Sequence, residues 1–549
     1  MNKDSKKMDS SFFGQPQGLS TLFFTEMWER FSYYGMRALL IYYMYYSIED
    51  GGLGFSKTNA LSIMSIYGSL VYLSSVFGGY LSDRIFGSRK TVFYGGILIM
   101  LGHIALSIPM GGITLFMSIV LITFGTGLLK PNVSDMVGDL YSEKDRRRDS
   151  GFTIFVFGIN LGSLISPWLV GSLGLQVNFH LGFSLAAIGM FFGLVQYYIE
   201  GKKTLNADSM YPSNPLEPSD FKKLFIRCLI GLVGFGLILG LMLSMGSLNI
   251  ENFITLLSVI AILTPIVYFC IMLTSSKVNN VEKSRVWAYI PLFIAAVVFW
   301  AIEEQGAVVL AMFAGTQTKN DLFLSKGIII SILLILAVLI LIGYLYGKKR
   351  INNQKLFNLC LIIPFALIIA FTIFISLQNN NVFHINILPS WYQSLNPLFI
   401  MLYTPIFAII WNKLRDSQPS SPSKFVMGMI IAGISYLFMV IPVSLFGTSK
   451  VSPLWLIGSW AIIEIAEMLI SPIGLSVTTK LAPKAFSSQM MSMWFLADAA
   501  AQAINSQIVK YYTGNEAKYF AFVGLFAIVF GLILILFVKP VKRLMKGVN

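Results

Sequence analysis

Uncharged apolar runs long enough to cross a bilayer recur from one end of this chain to the other. The stretch from Gly327 to Gly347 has no Asp, Glu, Lys or Arg, and roughly 20 such residues in a helix span the ~30 Å hydrocarbon core. In lipid, each backbone N–H and C=O must be satisfied within its own segment, so a chain built of such runs folds as membrane-spanning helices. Composition agrees: 56% of the 549 residues are hydrophobic and 12% charged, against about a quarter charged in an ordinary soluble domain. Hydropathy places segments near 20–46, 58–82, 91–110, 112–138, 151–174, 182–199, 224–246, 253–275, 286–314, 327–347, 356–377, 389–411, 425–446, 453–480, 486–512 and 519–538. The expected fold class is an all-α membrane protein of about sixteen transmembrane helices.

Positive charge tests that count, because Lys and Arg accumulate in short cytoplasmic loops. With the N-terminus inside, the inner loops hold DRIFGSRK, EKDRRRD, GKK, KVNNVEKSR, GKKRINNQK, NKLRD, TTKLAPK and the KPVKRLMK tail. The outer loops keep only scattered lysines such as Lys57, Lys319, Lys450 and Lys518. The alternation survives each crossing, so both termini are expected in the cytoplasm. The formal charge of +14 is then topological, with attraction to anionic inner-leaflet lipid, and does not call for nucleic acid. Cys228, Cys270 and Cys360 stand at no metal or disulfide spacing. The polar first twenty residues lack the apolar core and small-residue cleavage site of a removable signal.

Against this background TEMWERFSYYGMR, residues 25–37, is anomalous. Glu26, Glu29, Arg30, Tyr33 and Arg37 follow steps of three and four, and so form one polar stripe on a helix otherwise apolar. Each charge facing mid-bilayer lipid costs about 2.5–3.5 kcal/mol even on the lenient insertion scale, so the stripe must face protein or water. A static ion-pair network is one explanation, but buried pairs are a poor route to stability. Further charges lie inside other spans: Lys130, Glu303, Glu304, Glu464, Glu467 and Asp498. Intramembrane ionisable groups drawn from both halves of a chain mark a substrate path or proton relay around a cavity near the midplane.

The motifs resemble one family closely. EMWERFSYYG matches the ExxERFxYYG signature of the proton-dependent oligopeptide transporters, a branch of the major facilitator superfamily. GGYLSDRIFGSRK resembles the superfamily's loop between helices 2 and 3, and GTGLLKPNVSDMVGDLY and FGINLGSLISP resemble the transporter family's helix 4 and 5 signatures. WYQSLNPLFI, QPSSPSKF, EMLISPIGLSVTTKLAPK and MMSMWF look like family segments of the second half. The resemblance implies two six-helix bundles, residues 1–200 and 284–549, joined through a linker with an inserted helix pair in 201–283. It implies uptake of di- and tripeptides with protons by alternating access, as a monomer in the plasma membrane, with no cofactor and with protons as the coupling ion.

Site roles follow from the resemblance. Arg30, Arg37 and Lys130 would take the peptide carboxylate, Glu467 its amine, and Asn160 and Asn396 its backbone or amine. Tyr33, Tyr34, Tyr67, Trp300, Trp494 and Phe495 would line side-chain pockets, although ordinary helix packing explains each aromatic equally well. Glu26 and Glu29 beside Arg30, then Glu304, are the candidates for proton coupling: a carboxylate whose arginine is taken by the peptide becomes ready for a proton. A Lys130–Glu467 pair would help to close the inner gate.

Two departures stand out. The apolar hairpin at 327–377 replaces a short external loop of the family and lacks intramembrane charge, so it reads as a peripheral addition facing lipid. Asp498, four residues after Trp494 and on the same helical face, stands where the family usually has a small polar residue. It reads as a spare proton site, a contact for cationic side chains, or a partner for a nearby helix. Val156 replaces a tyrosine common in the family. No HExxH, GxSxG or nucleotide loop is present, and His103, His180 and His384 are scattered, so the chain does not read as an enzyme. The other open readings are a proton symporter of another small anion or zwitterion (amino acid, nitrate, peptide-like drug) and a peptide receptor without transport. A cationic end together with an anionic end favours peptides over nitrate.

Overall fold

The apolar runs become helices in the computed structural model, which describes residues 11–547 apart from positions 143, 144, 146, 348–353, 415, 416, 448 and 514. The first six are α1 (Gln17–Tyr45), α2 (Lys57–Leu81), α3 (Ser88–Leu106), α4 (Gly112–Asp139), α5 (Arg148–Gln176) and α6 (Phe179–Thr204). Then follow α7 (Pro218–Ser244), α8 (Ile250–Thr274), α9 (Asn280–Glu303), α10 (Val309–Thr316), α11 (Lys326–Gly347) and α12 (Gln354–Leu377). The chain ends with α13 (Leu395–Leu414), α14 (Ser421–Phe446), α15 (Pro453–Leu481), α16 (Ser487–Ile508) and α17 (Glu516–Leu544). Several starts are set by asparagine caps, whose side-chain oxygen accepts an otherwise orphaned N–H: Asn249 from Asn252, Asn515 from Lys518, and Asn279 from Glu282 in a reciprocal capping box.

Among the described residues, eleven helical segments are both long and apolar enough to cross a membrane, against the sixteen expected. The difference has physical causes. The charged stripe of α1, the Arg89–Lys90 start of α3 and the polar content of α16 dilute their hydropathy, and only the stretches Lys326–Ile335 and Ile368–Leu377 of α11 and α12 enter the comparison. The basic loops EKDRRRD, GKKRINNQK and NKLRD lie partly outside the described residues.

The expected single span 286–314 is broken. After Glu303 the chain tightens into a 3₁₀ turn, Glu304–Ala307, before α10 resumes. Broken helices are tolerated at membrane depth when neighbours satisfy the freed backbone, and they do so here. Tyr436 donates to the Ile302 carbonyl at 3.1 Å, Gln393 to that of Gly306 at 2.9 Å, and Tyr42 to that of Ala311 at 2.8 Å. A hydrogen on Gly306 is required as well: a Cβ there would lie 2.1 Å from the Trp460 ring.

The chain forms two compact units, one of residues up to Gln317 together with those from Ser390 onward, the other Thr318–Pro389. In the first, α1 packs on α5 and α6, α3 on α4 and α6, and α2 on α4, while α9 packs on α14, α15, α16 and α17, and α13 on α15. The two sets meet where α2 lies along α16, α5 along α13 and α1 beside α10. The α2–α16 seam is close: Ser62 donates to the Ser506 carbonyl at 2.9 Å and Ser69 to that of Ala499 at 2.7 Å. In the second unit α11 packs on α12, and the pair carries an antiparallel ribbon of β1 (Asp321–Ser325) and β2 (Val382–Asn386), with Phe323 opposite His384. Hydropathy gives no sign of these strands, because five-residue segments between long apolar helices have too short an alternation to register.

Candidate functional site

The α1 stripe is turned inward. Glu26, Glu29, Arg30, Tyr33 and Arg37 are all buried. Arg30 pairs through Nε with Glu29 and, at 3.2 Å, with Glu26, four residues earlier on the same face, and its guanidinium lies 5.2 Å from the Tyr33 ring centre and 5.8 Å from that of Tyr34. Further along the helix, Arg37 crosses to the other half of the chain and pairs with Glu304 in the turn between α9 and α10. The break in that helix therefore carries a charge partner for α1.

A second acidic group forms beside it. Asn396, in the first turn of α13, donates to Glu303 at 2.9 Å and to Glu464 on α15 at 2.8 Å. Oxygens of Glu303, Glu464 and Glu467 lie within 4.8 Å of one another. At that spacing two full negative charges repel by on the order of 3 kcal/mol at an effective dielectric of about 20. The cluster therefore demands positive charge, as a proton, an ammonium or a metal ion. Glu464 Oε2 and Glu467 Oε2 have no hydrogen-bond partner among the described residues, nor do Glu26 Oε2, Glu29 Oε1, Arg30 Nη2 and the hydroxyls of Tyr33 and Tyr67.

Lys130 of α4 has no carboxylate within 4 Å among the described residues; its ammonium sits over Tyr72 of α2 at 4.1 Å and Phe495 of α16 at 5.6 Å. The two rings stack on each other at 6.5 Å. Trp300 and Trp494 meet edge to face at 6.3 Å, and Trp494 lies against α15 where Gly474 leaves room for it. Tyr67 neighbours Tyr33 at 6.4 Å. The assembled groups are thus buried arginines paired with carboxylates, a cluster of three further carboxylates that begins at the residue next to Glu304, and aromatic rings from the helices that supply them.

The sequence profile of the POT family matches residues 89–344 and 347–528. The chain belongs to the POT family. It is 46% identical to the di-/tripeptide transporter of Lactococcus lactis subsp. cremoris over 99% of both chains, and 48% identical to the transporter YclF of Bacillus subtilis over 98% of this chain and 96% of that one. A crystal structure of the peptide transporter POT in complex with sulfate superposes with a TM-score of 0.83 at 46% identity, covering 100% of each chain.

Of the residues singled out in this POT-family sequence, the structure brings Glu26, Glu29, Arg30, Tyr33 and Tyr34 into one contact network, and Arg37 to Glu304. Lys130 and Phe495 also meet. The Lys130–Glu467 pair is not formed: Lys130 lies on the Tyr72 and Phe495 rings instead. Asn160 donates to the Val156 carbonyl of its own helix at 3.0 Å, and Asn396 is engaged by two carboxylates. Asp498 accepts from Gln502 on its own helix at 2.8 Å. Glu303, Glu464 and Tyr72 join the site without a role assigned to them from sequence. The i, i+3 spacing of Glu464 and Glu467 is a readable sign that they share a helix face, while nothing local announces that Asn396 joins α13 to them.

Proposed function

We propose that this chain imports di- and tripeptides together with protons by alternating access. Two six-helix sets, α1–α6 ending at Thr204 and α9–α10 with α13–α17 starting at Asn280, each a few residues beyond the bounds 1–200 and 284–549 expected from sequence, would be joined by the α7–α8 pair between them in the manner of the major facilitator superfamily. The α11–α12 hairpin at 327–377 is an addition that brings the spans to about sixteen. The protein lies in the cell membrane with both termini cytoplasmic, acts as a monomer, needs no cofactor and uses protons as its coupling ion. The helix pairings, the loop charges and the family's general proton coupling support this reading.

One observation carries the mechanism: the buried Arg37–Glu304 pair, whose members come from the two halves of the chain. Arginine presents a planar fork suited to a carboxylate. When the peptide carboxylate takes Arg37, with Arg30 and Lys130 beside it, Glu304 is left without its partner. An uncompensated buried charge costs about 3–5 kcal/mol, and a proton on Glu304 removes that cost. Proton and peptide therefore strengthen each other's binding, and the coupling is reciprocal. Glu26 and Glu29 around Arg30 act in the same way, so the carboxylates take up protons as a set. At the opposite end Glu467, with Glu303 and Glu464, receives the peptide ammonium. Tyr33, Tyr34, Tyr67, Trp300, Trp494 and Phe495 line the side-chain space. A nitrate symporter would have no use for the three carboxylates, and a receptor no use for the Arg37–Glu304 exchange.

The test is uptake by proteoliposomes. With the outer medium made acid, labelled Ala-Ala is expected to accumulate above its bath concentration, while alanine and nitrate are not. Equal handling of the three, or no response to acid, would overturn the proposal.

A further inference from the structure

Lys130 and Asp498 flank the same aromatic pair, and neither forms an ion pair with an opposite charge among the described residues. Lys130 rests on the Tyr72 and Phe495 rings and has no carboxylate within 4 Å among those residues. Asp498 follows Phe495 by three residues and Trp494 by four on α16, so it occupies the same helix face about one turn further on. It is 4% exposed and lies within the electrostatic field of Lys130, Arg37 and Glu304, while its own field reaches Tyr33, Tyr72 and Glu303. The carboxylate therefore belongs to the central site, not to the lipid face.

Its orientation is built by two helices. Gln502, one turn along α16, donates from Nε2 to Asp498 Oδ1 at 2.8 Å. Gln502 itself lies against α2 at Gly68, where a Cβ would fall 1.6 Å from Gln502 Oε1. Among the described residues the charged and titratable groups around Asp498 are Lys130 of α4, Tyr72 of α2, Tyr33 and Arg37 of α1, and Glu303 and Glu304 of α9 and the following turn. Arg30 is paired with Glu26 and Glu29 and Arg37 with Glu304, so among the described residues Lys130 is the cation of this site without an ion pair.

We propose that Asp498 is a specificity-determining residue that receives a basic side chain on the C-terminal residue of the transported dipeptide, next to the peptide carboxylate held by Lys130. This rests on the peptide-transport reading given above. The geometry requires it to be the C-terminal residue: the group anchored at Lys130 is the carboxylate, and the side chain nearest to that anchor is the one next to the carboxylate. The four-carbon stem of lysine would run along Phe495 and Tyr72, apolar for its length, and deliver its ammonium to an oriented carboxylate. A basic residue at the N-terminal position starts from the Glu467 end and gains nothing from Asp498.

The experiment compares competition against labelled Ala-Ala uptake by Ala-Lys, Lys-Ala and Ala-norleucine, the last having the lysine stem without its charge. Proteoliposomes hold the native protein, Asp498→Asn or Asp498→Glu. In the native protein and in Asp498→Glu, Ala-Lys is expected to compete better than Ala-norleucine. In Asp498→Asn that ratio falls about tenfold, which corresponds to ~1.4 kcal/mol, and the Lys-Ala ratio does not follow it. Gly68→Ala, which displaces Gln502 and leaves the carboxylate in place, lowers the ratio in the same direction and stands in for Asp498→Asn if that variant does not fold. An Ala-Lys ratio unmoved in both variants overturns the inference. So does a pH optimum displaced equally for all three peptides with the ratio intact, which would assign Asp498 to proton traffic. Native protein that carries no Ala-Ala at all contradicts the transport reading, an outcome distinct from these.

Discussion

Arg37 and Glu304 are 267 positions apart in the chain and form one buried ion pair. Arg37 stands on an unbroken helix, and Glu304 at the point where another helix gives up its regular geometry. Glu304→Gln keeps the shape of the side chain and removes its charge. Exchange of labelled for unlabelled Ala-Ala across the membrane is expected to persist, whereas accumulation driven by an acid outer medium is lost. Counterflow and gradient-driven uptake on the same proteoliposomes check this.

Asn396 satisfies two carboxylates with one amide. Asn396→Leu removes both donors from buried acceptors, and hydrogen bonds to charged groups contribute about 1.5–3 kcal/mol each. The variant is expected to unfold at lower temperature in detergent and to lose at least about tenfold in affinity for Ala-Ala. N-acetylated Ala-Ala, which has no ammonium, should lose much less. Thermal unfolding and competition assays measure the two effects.

How much of this is legible in the sequence depends on the range of the interaction. The α1 stripe and the Glu464/Glu467 pair are readable because helical spacing alone puts such residues on one face. Arg37 and Glu304 are each visible as charges inside a span, but their partnership depends on two remote helices meeting, and no local pattern encodes it. The Glu304–Ala307 turn is hidden because apolar residues continue on both sides of it, and hydropathy does not detect a change of backbone hydrogen bonding. Lys130 reads as a partner for Glu467, yet a lysine also finds favourable contact with aromatic faces, and Tyr72 and Phe495 supply that from α2 and α16.

Gly306 lies in the same turn, pressed against the Trp460 ring. With a Cβ at 2.1 Å from a rigid indole, Gly306→Ala must shift the turn that carries Glu304, and overpacking of this kind costs typically about 1–3 kcal/mol. The expected result is a lower unfolding temperature together with a loss of acid-driven accumulation larger than the loss of Ala-Ala binding. Thermal unfolding and binding of the purified protein, beside transport, separate the two.

At the start of α2, Lys57 pairs with Glu516 of α17 at 3.0 Å and lies 4.5 Å from the Tyr512 ring centre, while Gln317 also donates to Glu516. The pair is partly exposed, so its worth in stability is at most about 1 kcal/mol. Its greater effect is on the joint between two halves that alternating access must part. Lys57→Glu is expected to slow transport with little change in unfolding temperature, and the double swap with Glu516→Lys to restore most of the rate.

Coupling of dipeptide to proton is measurable without any imposed pH gradient. Proteoliposomes loaded with a pH-sensitive dye, at equal pH inside and outside, are given Ala-Ala on the outside only. Inward movement of the dipeptide is expected to acidify the lumen, alanine is not, and Glu304→Gln is expected to abolish the signal. Entry of Ala-Ala with the luminal pH unchanged would contradict this coupling.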